Sequence, residues 1–466
     1  MKAFVIRYNY LKTLFVLIIF LGCALPAEAA TYHVYPKNSV AIEEKNSIAG
    51  FTGWKVLPKP GDVIFLFDNK GPYKEDVIVF GLHGTAEKPI KIKAAPGNQP
   101  VIEGNIAFFN SSHIILEGLT VTGNKNAGGV QIRQNSHNIV IKNSIIKDNM
   151  VGVWIGDKAG MQNQIIGNTI YDNAVFGIAV DQVNCEAGKE TLIAKNRVYK
   201  NDNHGISIIA NYYIVEANEV FRNGKGVIGT SGIHVFSPSA TQNVGKHNVI
   251  RHNIVYENIE IEGPDGNGIQ LDHWCDRNEV YYNISFNNDG AGINVYDGCE
   301  NRIYNNTLVS NGRRPMPPSW PAKADLWIGT DSTRNRTRKN EVINNIVVAD
   351  NTNTYAFHVD RLTSERPMIV ENNLFYHRTR EDFYFWKDRG EKNIKKLNNL
   401  TGFKNNFFGD PQFQAPTPRT ITDFMLKKTS PAVKRGQYLK PQRDILGNDI
   451  SSEKSPNIGA VELVSP

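Results

Sequence analysis

The stretch that decides the fold is Gly268-Ile269-Gln270-Leu271-Asp272, followed by Val280-Tyr281-Tyr282-Asn283-Ile284 and then by Gly292-Ile293-Asn294-Val295-Tyr296. After each glycine, apolar and polar residues alternate strictly, the mark of a short strand with one buried face. Between the two glycine pieces an asparagine sits at a bend flanked by apolar residues. Only 24 residues separate the two glycines, too few to bury that face alone.

The same landmarks recur outward from this stretch. The glycine pattern also occurs at Gly129, Gly152, Gly177, Gly205 and Gly232, with spacings from Gly129 to Gly292 of 23, 25, 28, 27, 36 and 24 residues. Degenerate copies follow at Asp325 and Ala356. The asparagine falls at equivalent points at Asn143, Asn168, Asn196, Asn218, Asn253, Asn283, Asn306, Asn345 and Asn373. Stacking coil on coil is the solution that closes a continuous core, so the expected fold is all-β, a single-domain parallel β-helix with its repeat core at 105–376. Residues 30–104 supply leading strands and a cap, and 377–466 further coils and an irregular C-terminal cap. A side-chain amide at the same bend of every coil can hydrogen-bond to its neighbours above and below, a structural role. The excess residues must loop out, at 224–231, 259–267 and 312–324, and these loops should form walls at one corner.

The N-terminus reads as a signal peptide over residues 1–29. Lys2, Arg7 and Lys12 precede the apolar run 14–22, and Ala27-Glu28-Ala29 supplies the cleavage pattern. Export to the periplasm or beyond is expected, with lipidation at Cys23 the weaker reading. No later apolar run is long enough for a membrane span. The net charge of +6 comes without a basic run interleaved with aromatics, which offers nothing to nucleic acid and suits an acidic polysaccharide as partner. The chain is expected to act as a monomer. Cys185, Cys275 and Cys299 remain after export, an odd count that argues against a disulfide framework. Cys275 and Cys299 fall at the same point of adjacent coils, where proximity is expected and a bond is the secondary expectation.

The repeat, the leading segment, Ser430-Pro431-Ala432 and Ile458-Gly459-Ala460 resemble the right-handed parallel β-helix superfamily of carbohydrate-active enzymes. That group includes lyases of the alginate lyase and chondroitinase B type, mannuronan epimerases and several glycoside hydrolases. The local pattern is most similar to the epimerases, but the Asp-Pro-His-Asp motif that carries their chemistry is absent here.

Residues two and four places after the glycine should point outward. The first column then holds Trp154, Ser207, His234, Gln270, Asn294, Trp327 and His358, and the second Asp181, Phe236, Asp272 and Tyr296. His234, Asp272 and Tyr296 converge beside the long loops, with His273 and Asp297 just past the strands. These five are the catalytic candidates. Trp154, Asp181, Gln270, Asn294, Trp327 and His358, with Arg313 and Arg314 from a loop, are the candidate substrate contacts. Asp181 is three coils from Asp272, roughly 14 Å away, too far to pair with it.

The favoured mechanism is β-elimination on a uronate. His234 or Tyr296 would act as base or acid, Arg313 or Arg314 would neutralise the carboxylate, and Asp272 with Glu262 or Asp265 would hold calcium. The alternatives are hydrolysis by Asp272 and Asp297, for which paired carboxyls are required, uronate epimerisation, and non-catalytic glycan binding.

Overall fold

The computed structural model describes residues 29–37, 47–49, 57–69, 71–315, 323–440 and 443–463. Residues 1–28 of the expected signal peptide, with Cys23, lie outside the described residues, as does 316–322 of the third loop.

Three long sheets of 15, 13 and 12 strands run side by side along the chain. Each coil contributes one strand to each sheet, and each strand pairs in parallel with its counterparts one coil away. The pairing continues from Thr31–Tyr35 to Phe407–Phe408, so the leading segment and the repeat form one stack. The exception is a terminal hairpin, in which Tyr384–Trp386 pairs antiparallel with Arg389–Glu391. Inward side chains such as Ile233, Val235, Ile269, Leu271, Ile293 and Val295 are fully buried in one continuous core. Burying each is worth about 1.5–3 kcal/mol.

The bends between sheets hold the stack in register. Where the second bend begins, a residue with positive φ precedes the asparagine: Ala217 (φ 53), His252 (φ 56) and Tyr282 (φ 50) precede Asn218, Asn253 and Asn283. Each asparagine Oδ1 then accepts from the backbone N–H and the side-chain amide of the asparagine one coil earlier. Asn218 N and Nδ2 donate to Asn253 at 2.9 and 3.0 Å, and Asn253 N and Nδ2 donate to Asn283 at 2.9 and 3.0 Å. The column begins at Ser144, not Asn143. Asn143 takes the left-handed place (φ 52), and Ser144 N donates to Asn168 Oδ1. Two further ladders occupy the other bends, one through Asn149, Asn173, Asn201, Asn223, Asn258, Asn288 and Asn311 and one through Asn248, Asn278, Asn301 and Asn340.

The C-terminal segment does not simply close the end. It turns back along the outer face of the 12-stranded sheet, where Phe413, Phe424, Leu426, Ile458 and Val461 pack on Phe286, Val309, Ile346 and Val348. Ala460 N donates to Thr307 Oγ1 and Gly459 N to Asn344 O.

Cys275 and Cys299 lie on adjacent coils but are not bonded, and with Cys185 they are free, buried thiols. Cys299 pairs across the coils with Asp276, one residue off the expected register. The slip points the two thiols apart: Cys275 Sγ donates inward to Val235 O and Asp272 O, Cys299 Sγ to Arg336 O.

The ladder makes a quantitative demand. Asn253→Leu leaves the amides of Asn218 and a lone pair of Asn283 unsatisfied in a buried bend, and should lower stability by about 2–4 kcal/mol in denaturant unfolding. Replacing the exposed Lys200 with alanine should change it by less than about 0.5 kcal/mol.

Candidate active site

The register of the 13-stranded sheet assembles the site. Ser231–Phe236, Asn267–Asp272, Ile293–Tyr296 and Lys323–Gly329 lie side by side. One column runs His234, Gln270, Asn294, Trp327, and the next runs Phe236, Asp272, Tyr296. The columns face away from the core, as alternation requires, yet the inner column is almost covered by its neighbours: His234 is 8%, Gln270 5% and Asn294 4% exposed. It is a nearly covered row rather than an open face.

Asp272 lies between two imidazoles, and His234 holds it. His234 Nε2 lies 3.2 Å from Oδ2, and His273 Nε2 lies 3.4 Å from Oδ1. Burial pushes the Asp272 carboxyl up to about 6, against the pull of His273 and Arg334. Burial with the charge of His273 pushes His234 down to about 3, so its imidazole is neutral near pH 7 and Nε2–H can donate to the carboxylate. The His204 ring sits 4.1 Å from that of His234, and His204 Nδ1 accepts from Ser231 N at 3.0 Å. Tyr296 is the cross-strand partner of Asp272. Its phenol is pushed up by burial and by Asp297, and it stays a proton donor.

A second carboxyl arrives from the loop before the strand. Gly266, at φ 80, folds the chain back and brings Asp265 against Gln270. Asn267 Nδ2 donates to Asp265 Oδ1 at 2.9 Å and to Gln270 Oε1 at 3.1 Å, and Ser231 Oγ donates to Gln270 Oε1 at 2.6 Å. Burial, then the charge of Asp272, pushes Asp265 up to about 7. Asp265, from the loop, and Asp272, at the end of the strand, therefore lie on either side of Gln270 and feel each other's charge. The loops of this corner are tied together by the buried Glu260, whose carboxylate accepts from the backbone N–H groups of Gly229, Thr230, Glu262 and Gly263.

Several sequence expectations are corrected. Asp297 is no partner for Asp272 in hydrolysis: it is fully buried, accepts from Thr330 Oγ1 at 2.6 Å and Asp331 N at 2.9 Å, and is ion-paired with Arg334. It anchors the loop after Gly329. Arg313 and Arg314 are engaged by the protein itself: Arg313 pairs with Asp289 at 3.0 Å and Arg314 donates to Glu260 O at 2.8 Å. The calcium set of Asp272, Glu262 and Asp265 does not assemble. Glu262 is exposed on the loop, and among the described residues no group of three His, Cys, Asp or Glu side chains could hold an ion.

Trp327 is buried, stacked 5.2 Å from the fully buried His358 with Nε1 bonded to Asp360, so neither offers a ring face to sugar. The Trp154 ring is covered by the Arg133 guanidinium at 5.1 Å. Asp181 is exposed, three coils from Asp272 as the repeat implied.

Arg334 was missed. It donates to His273 Nε2 at 2.8 Å and lies over Trp274 at 5.3 Å, beside Asp272. The signal was present in the polar run Asp331-Ser332-Thr333-Arg334-Asn335-Arg336, which follows a strand, whereas only loops preceding strands were weighed.

Comparison with known proteins bears on the fold. The family model for the right handed beta helix region matches residues 91–184. The uncharacterized protein YwoF of Bacillus subtilis (strain 168) is 34% identical over 86 residues, which span 17% of this chain and 18% of that protein. The chain thus aligns with less than a fifth of this relative's length. Among solved structures, the PL6 family alginate lyase AlyGC superposes with a TM-score of 0.52 at 17% identity, covering 83% of this chain and 57% of that one. The GH136 lacto-N-biosidase of Eubacterium ramulus gives 0.51 at 12% identity over 74% and 67% of the two chains. The mannuronan C-5 epimerase AlgE6 A-module of Azotobacter vinelandii gives 0.50 at 14% identity over 75% and 90%. These three enzymes differ in the reactions they are named for, and what they share with this chain is architecture: it is a right-handed parallel β-helix.

Proposed function

We propose that the protein is an exported carbohydrate-active enzyme that hydrolyses glycosidic bonds in a glycan bound at this site, with Asp265 as general acid and Asp272 as the ionised partner. The observation that carries this reading is the pair of buried carboxyls on either side of Gln270, both pushed above the ordinary carboxylate range. Paired titratable groups with different raised values mark out acid and base roles. Asp265, the higher of the two, keeps its proton and gives it to the glycosidic oxygen as the C–O bond breaks. Asp272, eased toward ionisation by His273 and Arg334, attacks the anomeric carbon or takes a proton from the attacking water. His234 orients Asp272 through Nε2. The likeness to glycan-acting enzymes is of fold, and it is compatible with this reading without choosing it.

Elimination, the reading favoured by the sequence, needs a cation committed to the substrate carboxylate. The guanidinium whose charge Asp272 feels, that of Arg334, is already shared between Asp297 and His273, which weighs toward hydrolysis.

The test is incubation with a panel of neutral and acidic polysaccharides and oligosaccharides, following reducing ends and ultraviolet absorbance together. New reducing ends without unsaturated product are expected; unsaturated uronate, or no cleavage of any glycan, would overturn the proposal. Asp265→Asn and Asp272→Asn should each lower turnover by roughly 10²–10⁴-fold. The pair titrates as a unit, and the rate should rise as Asp272 ionises near pH 6 and fall as Asp265 loses its proton near pH 7.

A stability measurement checks the same electrostatics without substrate. Because the folded state raises the value of Asp272, its contribution is fully favourable only below the unfolded value near 3.8 and is lost as pH rises through about 6. Asp272→Asn should therefore be more stable than wild type at pH 8, by about 3 kcal/mol in urea unfolding, with the difference vanishing toward pH 4.

A further inference from the structure

Two of the loops beside the site hold apolar side chains out in water. Val227 and Ile228 form the tip of one, 40% and 59% exposed, and Ile261 stands on the next at 41%. Leaving such groups in water forgoes the gain of burying them. The loops are nevertheless fixed in this arrangement. The Glu260 carboxylate accepts from the N–H groups of Gly229 and Thr230 on the first and of Glu262 and Gly263 on the second. Ile228 and Ile261 therefore each stand one residue from a shared anchor.

Their position beside Asp265 gives them a use. Asn267 Nδ2 donates to Asp265 Oδ1, which leaves Oδ2 to carry the proton of the general acid. The residue facing Oδ2 is Gly229: a Cβ there would stand 3.8 Å from that oxygen and meet nothing else within 4 Å. Gly229 is exposed, and its φ of 77° favours glycine, so the loop passes Oδ2 without laying a side chain over it. Asp265 keeps part of its surface open to solvent. A group that takes the proton from Oδ2 then comes to lie against Gly229, next to Ile228 and across the Glu260 anchor from Ile261.

We propose that Val227, Ile228 and Ile261 form an apolar subsite for the leaving group, so that the preferred glycan carries an aliphatic substituent, the methyl of a deoxysugar or an acyl chain, on the sugar released beside Asp265. The general acid protonates the glycosidic oxygen, and the sugar that departs with that oxygen is the one on the Asp265 side of the bond. Branched aliphatic side chains offer this sugar contact area and no hydrogen bond. They favour methyl and methylene groups, while a hydroxyl placed there loses its water without replacement. The proposal rests on the hydrolytic reading of Asp265 and Asp272.

The experiment measures kcat/KM for glycosides matched in every respect except the leaving group: octyl against glyceryl, 6-deoxyhexose against hexose, and O-acylated against free hexose. Each pair is built on the sugars that the oligosaccharide panel shows to be cleaved. Wild type should favour the aliphatic members by about tenfold, and the arm with the larger preference tells deoxysugar from acyl chain. Ile228→Ser and Ile261→Ser should each cut that ratio about threefold or more. Lys225→Ala, an exposed change on the same loop, should leave it unaltered, and thermal unfolding of all three should match wild type. No preference in wild type, a preference for the hydroxylated members, or a ratio that neither serine variant changes would overturn the subsite while leaving hydrolysis standing. If wild type cleaves nothing in the oligosaccharide panel or among these glycosides, the hydrolytic reading falls and this proposal falls with it.

Discussion

Everything in this molecule depends on satisfying the buried polar groups of its bends. A coil that turns sharply three times, with left-handed residues such as His252 and Tyr282 at the corners, strands backbone amides where neither water nor a strand can reach them. An unpaired buried amide is costly, and the cost would recur at every turn. The asparagine ladders remove it by letting each coil's carboxamide serve the coil before, as Asn283 serves Asn253 and Asn253 serves Asn218. The ladders therefore do more than decorate the turns. They enforce a common register, and the register places side chains from distant parts of the chain in straight columns.

That dependence explains what could be read in advance. Once the glycine-led strands are aligned, the neighbours of Gln270 and Asp272 follow by counting, and the columns His234-Gln270-Asn294 and Phe236-Asp272-Tyr296 were legible in the sequence for that reason. The bends were legible only to within a residue. Asn143 and Ser144 exchanged places because a left-handed corner accepts asparagine as readily as the ladder does. Cys275 and Cys299 stand on neighbouring coils as the counting implied but one residue out of register, since the count holds within strands and slips in the turns after them. Loop residues obeyed no count at all. Asp265 was picked out as a metal ligand and stands instead beside Gln270, because the turn at Gly266 redirects it. Arg334 reaches the site through contacts with Asp297 and His273 that no repeat encodes.

The site itself runs against the logic of the scaffold. Along the ladders each buried carboxamide is paired with the next, whereas the site gathers Asp265, Asp272, His204 and His234 where burial penalises their charged forms. Such groups are unfavourable in isolation and are tolerated where a rigid frame over-determines their positions. The strands beneath supply that frame. Glu260 does the same for the loop wall and Asp297 for the opposite one, two buried carboxylates whose hydrogen bonds serve positioning.

The C-terminal segment has one more consequence. In a stack where each coil touches only its neighbours, the last coil is free to peel away and the loss can travel inward one step at a time. Here residues near 460 are bonded to Thr307 and Asn344, about 150 and 115 positions earlier in the chain. The terminal coils cannot be shed without also releasing, or working around, a strap fastened several turns deeper. A structure that would otherwise come apart like a stack of coins is thereby sewn through, so that its exposed end and its middle share one fate when they unfold.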